Sequence, residues 1–268
     1  MLEYDFMRHA FGAATSVAIV AGIVGYFLVL RGQAFAGHAL SHVGFTGATA
    51  AMLLGRPPLW GLVTMTVIAG IAMGAFGQDF AHRDVAIGIV LIFALGLGLL
   101  FLSFLTTFAA QATTLLFGNV LAVDASTAWS LAILGGITLA ALAVIARPLL
   151  FATLQPDLAE AKGVSLRLYS VLFLAIVGLT TAASAQIVGV LLVFALMVAP
   201  AAAAQRFTSS VGGGIALSAT LALAQAWAGI TLAYYTDWPT SFWITTLSVG
   251  VYLVSLLPKN VLVKRTSS

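Results

Sequence analysis

Long apolar runs without charge recur along the whole chain, and they constrain its fold more than any other feature. Each run approaches the roughly 20 residues that an α-helix needs to cross a bilayer. Only 7% of the 268 residues are charged, whereas a soluble globular domain has about 25%. The runs also lack the short alternation of apolar and polar residues typical of membrane β-barrels. The sequence therefore predicts an all-α, polytopic bundle of membrane helices.

Polar residues divide this sequence into about nine predicted spans within one membrane domain, residues 1–268. The spans lie near residues 11–30, 34–54, 58–77, 85–106, 128–146, 168–184, 186–205, 211–233 and 240–257. The least regular region is 106–127, which is uncharged until Asp124 and rich in Thr, Gln and Asn. It is typical of a re-entrant or interfacial segment, and a bundle of eight spans remains an alternative.

The positions of Lys and Arg favour one orientation, because cytoplasmic loops of membrane proteins carry an excess of these residues. If the N-terminus is outside, the outer loops contain only Arg8 and Arg56. The cytoplasmic side then carries the other basic residues: Arg31, Arg83, Arg147, Lys162, Arg167, Arg206, Lys259, Lys264 and Arg265. We therefore predict a multi-pass protein of the inner (plasma) membrane, with its N-terminus outside and its C-terminus in the cytoplasm.

One loop between spans, residues 147–170, is long and amphipathic. Pro156 suits the first turn of a helix, and the carboxylates of Asp157 and Glu160 complement the positive end of its dipole. Gly163 is a natural stop. The apolar positions are Leu154, Leu158 and Ala161. The pattern predicts a short cytoplasmic helix, and its acidic pair favours docking of a protein partner over binding to anionic lipid headgroups.

The second predicted span contains two of the 4 histidines of the chain, His38 and His42. Their i, i+4 spacing places both rings on one helical face, with Cβ atoms about 6 Å apart. Imidazole is a ligand for zinc, nickel or copper and is acceptable to manganese or iron. Hydrogen bonds to neighbouring helices are the alternative, but ionisable residues inside the membrane usually mark functional sites. Candidate oxygen ligands are Ser41, Asp79, Asp84, Asp124 and Asp237.

Small residues surround the two histidines in small-xxx-small steps, which allow helix backbones to approach closely. These residues are Gly37, Ser41, Gly44, Gly47, Ala48 and Ala51. The pattern predicts that the histidine-bearing helix is buried within the bundle rather than exposed to lipid.

Two other spans contain residues with mainly structural interpretations. Asp84, in HRDVAIGIV, is predicted to be the N-cap of the fourth span, and His82 is a less favoured candidate ligand. Pro200 lies late in a later span, where a proline frees a backbone carbonyl and permits a kink.

Several classes of protein are excluded by motifs that the chain lacks. It has no cysteine and therefore no disulfide or thiolate metal site. It has no phosphate-binding G-x-x-x-x-G-K-[ST] loop, and neither H-E-x-x-H nor G-x-S-x-G. No basic stripe with interleaved aromatic residues indicates binding to nucleic acid. The chain is not predicted to be an enzyme.

Motifs along essentially the whole chain resemble those of ABC-type permeases that import zinc, manganese or iron. LRGQAFAGHALSHVGFTGATAAMLLG resembles the second span of that family, which typically reads R-R-x-x-x-x-G-D-A-x-(S/A)-H-A. Five more segments match in the family's order: RDVAIGI, LLFGNVLAV, LQPDLAEAKGV, VGVLLVFALMVAPAAAAQRF and YYTDWPTSFWI.

The resemblance implies the transmembrane subunit of an importer that forms a homodimer around a central path. Cytoplasmic ATPase subunits would dock on a coupling helix at residues 155–163, and an external metal-binding protein would deliver the ion. ATP hydrolysis would reside on the partner, and the metal would be cargo rather than a permanently bound cofactor. The implied docking residues are Gln155, Pro156, Asp157, Leu158, Glu160 and Gly163.

The resemblance also implies that the metal path is lined by an Asp and a His of the second span. The His corresponds to His42, whereas the Asp position is occupied by His38. This change to nitrogen favours zinc as the cargo, with manganese or iron as the alternative. An ATPase-independent secondary metal transporter and an intramembrane metalloenzyme are less favoured alternatives.

Overall fold

The chain folds into a bundle of α-helices, and no β-strand occurs in the part described. The computed structural model describes residues 4–76, 80–105, 114–118, 120–190 and 192–257, and within these ranges the side chains other than those at 76, 80–83 and 86. The helices are α1 (Asp5–Leu30), α2 (Ala34–Leu53), α3 (Pro58–Phe76), α4 (Phe80–Ser103), α5 (Ala125–Leu154), α6 (Pro156–Ala161), α7 (Leu166–Val188), α8 (Val193–Phe207), α9 (Val211–Thr236) and α10 (Thr240–Leu256). The predicted all-α class is confirmed.

Among the described residues, 5 helices are long and apolar enough to cross a bilayer: α1, α3, α5, α7 and α9. The helices α8 and α10 are apolar but shorter. Because a helix that is apolar on all sides needs a lipid or protein environment around it, these helices identify a polytopic membrane bundle.

The centre of the bundle is formed by α1 and α7. Helix α1 packs against α5, α7, α8 and α9, and α7 also packs against α3 and α5. Most of the apolar segment of each of these two helices is buried. Helix α2 packs against α3, α4 and α7. The burial of α2 agrees with its small-residue steps.

Pairs of small residues set the distances between these helices. A Cβ atom on Gly61 of α3 would lie 1.9 Å from the carbonyl oxygen of Gly47 of α2, so the backbones are this close only because both residues lack side chains. The hydroxyl of Thr66 in α3 donates a hydrogen bond to the carbonyl of Gly178 in α7, 2.9 Å away. Helices α2, α3 and α7 therefore form one tightly packed unit.

The boundary between α7 and α8 differs from the predicted span 186–205. Helix α7 ends at Val188, and α8 begins at Val193. Gly189 has a φ of 78°, and a Cβ atom there would lie 2.3 Å from the carbonyl carbon of Phe117. The N–H of Val190 donates to the carbonyl of Leu115 at 3.1 Å. Gly189 is thus a glycine stop like Gly163, and it is held against residues 115–117, which are distant in the sequence.

The predicted N-cap at Asp84 is wrong. Helix α4 begins at Phe80, so Asp84 lies inside the helix, where its side chain is exposed. The prediction took the polar HRD sequence as the helix start, but a membrane helix need not begin where its apolar run begins. Similarly, α5 continues through Pro148 to Leu154, beyond the predicted end at 146.

The region 106–127 contains short turns in its described part. Residues 114–117 form one helical turn, and Val120–Ala122 form a 3₁₀ turn. Asp124 caps α5 by accepting a hydrogen bond from the N–H of Thr127 at 3.0 Å. Hydrogen bonds from Thr127 and Ser126 lower the pKa of Asp124 to about 2. Residues 106–113 and 119, for which a re-entrant or interfacial segment was predicted, lie outside the described residues.

Candidate functional site

The two histidines of α2 lie side by side. Their ring centroids are 4.8 Å apart, and the ring planes are nearly perpendicular at 86°. His42 is 8% exposed, whereas His38 is half-buried. The i, i+4 spacing therefore brings both imidazoles to one face of a buried helix, with His38 nearer to the surface of the chain.

One nitrogen of this pair has no hydrogen-bond partner among the described residues, namely Nδ1 of the buried His42. The nearby hydroxyls are bonded to backbone: Ser41 donates to the carbonyl of His38 at 2.7 Å, and Thr46 donates to the carbonyl of Ala94 in α4. A buried polar nitrogen without a partner is unfavourable unless a ligand or water satisfies it. The structure thus leaves one imidazole nitrogen without a partner among the described residues inside the bundle.

A groove of about 670 Å³ opens beside His38. The ring of Phe194, in α8, meets the His38 ring edge-on with centroids 5.8 Å apart, and the ring of Phe35 lies 6.5 Å away. No signal in the sequence around Phe194 identified it as a neighbour of the histidines, because α8 reaches them only through tertiary packing. The groove is lined by Phe35, His38, Leu192, Phe194, Ala195, Val198, Ala199, Ala202, Thr245, Val249 and Tyr252.

The candidate carboxylate ligands that the structure describes, Asp84, Asp124 and Asp237, do not join the two histidines. Among the residues whose side chains are described, no group of three or more His, Asp or Glu is arranged to hold a metal ion. Asp124 caps α5, and Asp237 ends α9 with a φ of 58° beside a different cavity of about 580 Å³. Asp79 and the side chain of His82 lie outside the described part of the chain. The described residues of a single copy therefore supply two imidazoles and no carboxylate beside them.

The predicted short helix is present as α6, Pro156–Ala161, with Pro156 in its first turn. Gly163 ends it with a φ of 80°, a left-handed conformation that favours glycine. Ala159 is fully buried, whereas Leu158 and Leu154 remain 46% and 58% exposed. The polar residues of the predicted docking segment are also exposed, namely Gln155, Asp157 and Glu160. The apolar side chains at α6 are thus available for contact with a partner.

Comparison with known proteins assigns the chain to a family. The model of the ABC 3 transport family matches residues 3–259. The chain is 32% identical to the manganese transport system membrane protein MntC of Halalkalibacterium halodurans over 238 residues, which cover 88% of this chain and 82% of that protein. It is 30% identical to the manganese import system permease protein ScaB of Streptococcus gordonii over 270 residues, which cover 98% and 95%.

A solved structure has the same architecture. The chain superposes on PsaBC from Streptococcus pneumoniae, determined in complex with a Fab, with a TM-score of 0.87 and 27% identity, and the match covers 99% of this chain and 97% of that one. The family match and this superposition agree with the motifs read from the sequence. The chain therefore belongs to the ABC 3 transport family, and it is the permease subunit of a metal-ion ABC importer in which a separate subunit hydrolyses ATP.

Proposed function

We propose that the chain imports a divalent first-row transition-metal ion along a path that passes His38 and His42. The observation that carries this proposal is the pair of adjacent imidazoles, one buried with an unpartnered Nδ1 and the other beside an open groove. A transport site must bind an ion well enough to admit it and weakly enough to release it. An incomplete shell of two nitrogens meets both requirements.

A second copy of the chain completes the path in this proposal. Two imidazoles fill only half of a tetrahedral shell, and the largely apolar groove beside His38 suits contact with another membrane helix bundle. In a twofold dimer the same face of each copy meets its partner. Two facing copies would therefore bring four imidazoles to one central path.

The proposed topology has nine spans, with the N-terminus outside and the C-terminus in the cytoplasm. It puts α6 on the cytoplasmic side, where an ATPase subunit docks on the segment 155–163. The exposed side chains of Leu154 and Leu158 support this role. An external metal-binding protein delivers the ion to the opposite face, and residues 1–268 act as a single permease domain.

Manganese is the first candidate cargo, because MntC and ScaB are both named for manganese. Zinc is the second candidate. It is favoured by His38, which occupies the position of an Asp in the motif of the family, because imidazole nitrogen prefers zinc to the harder manganese ion.

The test is metal uptake into vesicles that contain this chain and its partner ATPase. We expect radiolabelled manganese or zinc to accumulate only when ATP is supplied at the ATPase face, with each metal competing against the other. Uptake driven by an ion gradient without ATP would instead indicate a secondary transporter. Cleavage of a peptide or lipid by the purified chain would indicate a metalloenzyme.

Replacing His38 by aspartate is expected to preserve transport and to shift the preference from zinc towards manganese. A carboxylate oxygen replaces one nitrogen, and a change of about 1.4 kcal/mol in relative binding corresponds to a tenfold change in preference. The measurement is the ratio of manganese to zinc uptake in a mixture of both metals. His9→Asp is the matched control, since His9 lies at the start of α1. A variant that transports neither metal, or that keeps the original ratio, would contradict the assignment of His38.

A further inference from the structure

Arg31 connects three helices through one side chain. Its Nη1 donates a hydrogen bond to Oγ1 of Thr153, in the last turn of α5, at 2.8 Å. Its Nε donates to Oε1 of Gln33, the N-cap residue of α2, at 3.3 Å. Its guanidinium carbon lies 5.5 Å from the centre of the Phe173 ring in α7. Arginine suits such a junction, because its planar guanidinium donates in several directions and stacks on aromatic rings.

Two of these contacts lie on the helices that flank α6. Helix α5 ends at Leu154, immediately before α6, and α7 follows it from Leu166. Gln155 joins the two helices: its N–H donates to the carbonyl of Phe151 in α5 at 3.0 Å, and its carbonyl accepts from the N–H of Ala159 in α6 at 3.0 Å. The ammonium of Lys162 lies 5.7 Å from the centre of the Phe151 ring. Both ends of α6 are therefore connected to the last turn of α5, which contains Thr153.

The third contact lies at the start of the histidine-bearing helix. Gln33 is only 3% exposed, and its N–H donates to the carbonyl of Leu28 at 2.9 Å. This tight turn joins α1 to α2, which continues to His38 and His42. The Arg31 side chain is thereby connected to the beginning of α2.

We propose that the Arg31–Thr153 pair is the mechanical link that transmits displacement of α6 to α2. The pair acts as a positioning device, since neither residue needs to contact the metal. Thr153 is oriented for this role, because its hydroxyl donates to the carbonyl of Leu149 at 2.6 Å and presents its lone pairs to Arg31. The inference rests on the proposed docking of the ATPase on α6.

The test is Thr153→Val in the complete transporter, which removes the hydroxyl that accepts from Nη1 of Arg31 and retains the shape of the side chain. We expect the complex to assemble and hydrolyse ATP, while the number of metal ions imported per ATP falls by about tenfold, the order expected when a hydrogen bond to a charged group is lost from one of two states. Thr153→Ser keeps a hydroxyl and is expected to restore the ratio. If Thr153→Val instead destabilised the whole complex, metal import and ATP hydrolysis would fall together. Thr153→Ser would then not selectively restore the ratio of imported metal to hydrolysed ATP.

Thr138→Val is the matched control in the same helix. Thr138 is 1% exposed, and its hydroxyl donates to the carbonyl of Leu134 within α5 at 2.7 Å. This variant loses a hydroxyl of the same kind at a position away from Arg31. We expect its ratio of imported metal to hydrolysed ATP to match that of the unchanged protein.

A double-mutant cycle with Arg31→Gln decides whether the two residues act together. We expect the double variant to be no more uncoupled than Thr153→Val alone. Additive effects, or an unchanged ratio in Thr153→Val, would overturn the link while leaving the proposed function intact. If the unchanged chain did not import metal with its ATPase, the proposed function itself would fail. If the Arg31→Gln complex did not assemble, the comparison of Thr153→Val, Thr153→Ser and Thr138→Val would still show whether the Thr153 hydroxyl couples hydrolysis to import.

Discussion

Replacing His42 by alanine is expected to reduce metal import to background while leaving assembly with the ATPase intact. The imidazole of His42 is 8% exposed, and its Nδ1 has no hydrogen-bond partner among the described residues. Its removal therefore costs packing but breaks no described hydrogen bond at that nitrogen. If the two histidines bind the ion as proposed, the variant retains only one of the two nitrogens that replace part of its water shell.

The measurement is ATP-dependent uptake of radiolabelled manganese and zinc by vesicles containing the variant. His42→Gln retains a polar side chain of similar volume without an imidazole, and it is expected to be equally inactive. This second variant separates loss of the ligand from loss of packing. His9→Ala, in α1, is expected to transport normally and serves as the control. Normal import by both His42 variants would remove these histidines from the metal path.

Replacing Gly61 by alanine is expected to destabilise the bundle strongly, because α2 and α3 are in backbone contact at this residue. The new Cβ atom would lie 1.9 Å from the carbonyl oxygen of Gly47 and 2.8 Å from the Cβ atom of Ala51. Backbone cannot rotate out of the way as a flexible side chain can, so α2 and α3 must separate. Overpacking of this kind costs about 3 kcal/mol or more.

The measurement is the yield of folded protein together with its thermal unfolding midpoint in detergent. Gly136→Ala, in α5, is the matched control, because nothing lies within 4 Å of the added Cβ atom. The control is expected to be neutral or slightly stabilising, since alanine favours helix over glycine by about 1 kcal/mol. Equal midpoints for the two variants would show that α2 and α3 are not held at this distance. Because α2 carries the histidines, Gly61→Ala is also expected to impair import.

The side chain at position 38 and the similarity to known permeases favour different metal ions as the cargo. The imidazole at position 38 favours zinc, whereas MntC and ScaB are named for manganese. The two proposed ligand nitrogens do not decide the matter, because they fill only half of a tetrahedral shell. The mixed-metal uptake ratio of the unchanged protein and of His38→Asp therefore measures directly what the ligand set prefers.

The sequence alone determined the features that depend on local or one-dimensional patterns. Apolar runs predicted the membrane helices because the bilayer requires a fixed helical length. Pro156 and Gly163 predicted the ends of α6 because each residue restricts or permits a particular backbone conformation. The spacing of His38 and His42 placed both rings on one face, because the helical repeat fixes which residues are neighbours.

Only the tertiary structure decided the features that depend on contacts between distant segments. Gly189 packs against the backbone of Phe117, and the aromatic neighbour of His38 is Phe194 in another helix. The contact of Arg31 with Thr153 likewise joins residues far apart in the chain. A helical repeat specifies which face a residue occupies but carries no information about which distant helix will pack against that face. Close packing makes that choice, because small residues allow helices to approach and buried polar groups require hydrogen-bond partners.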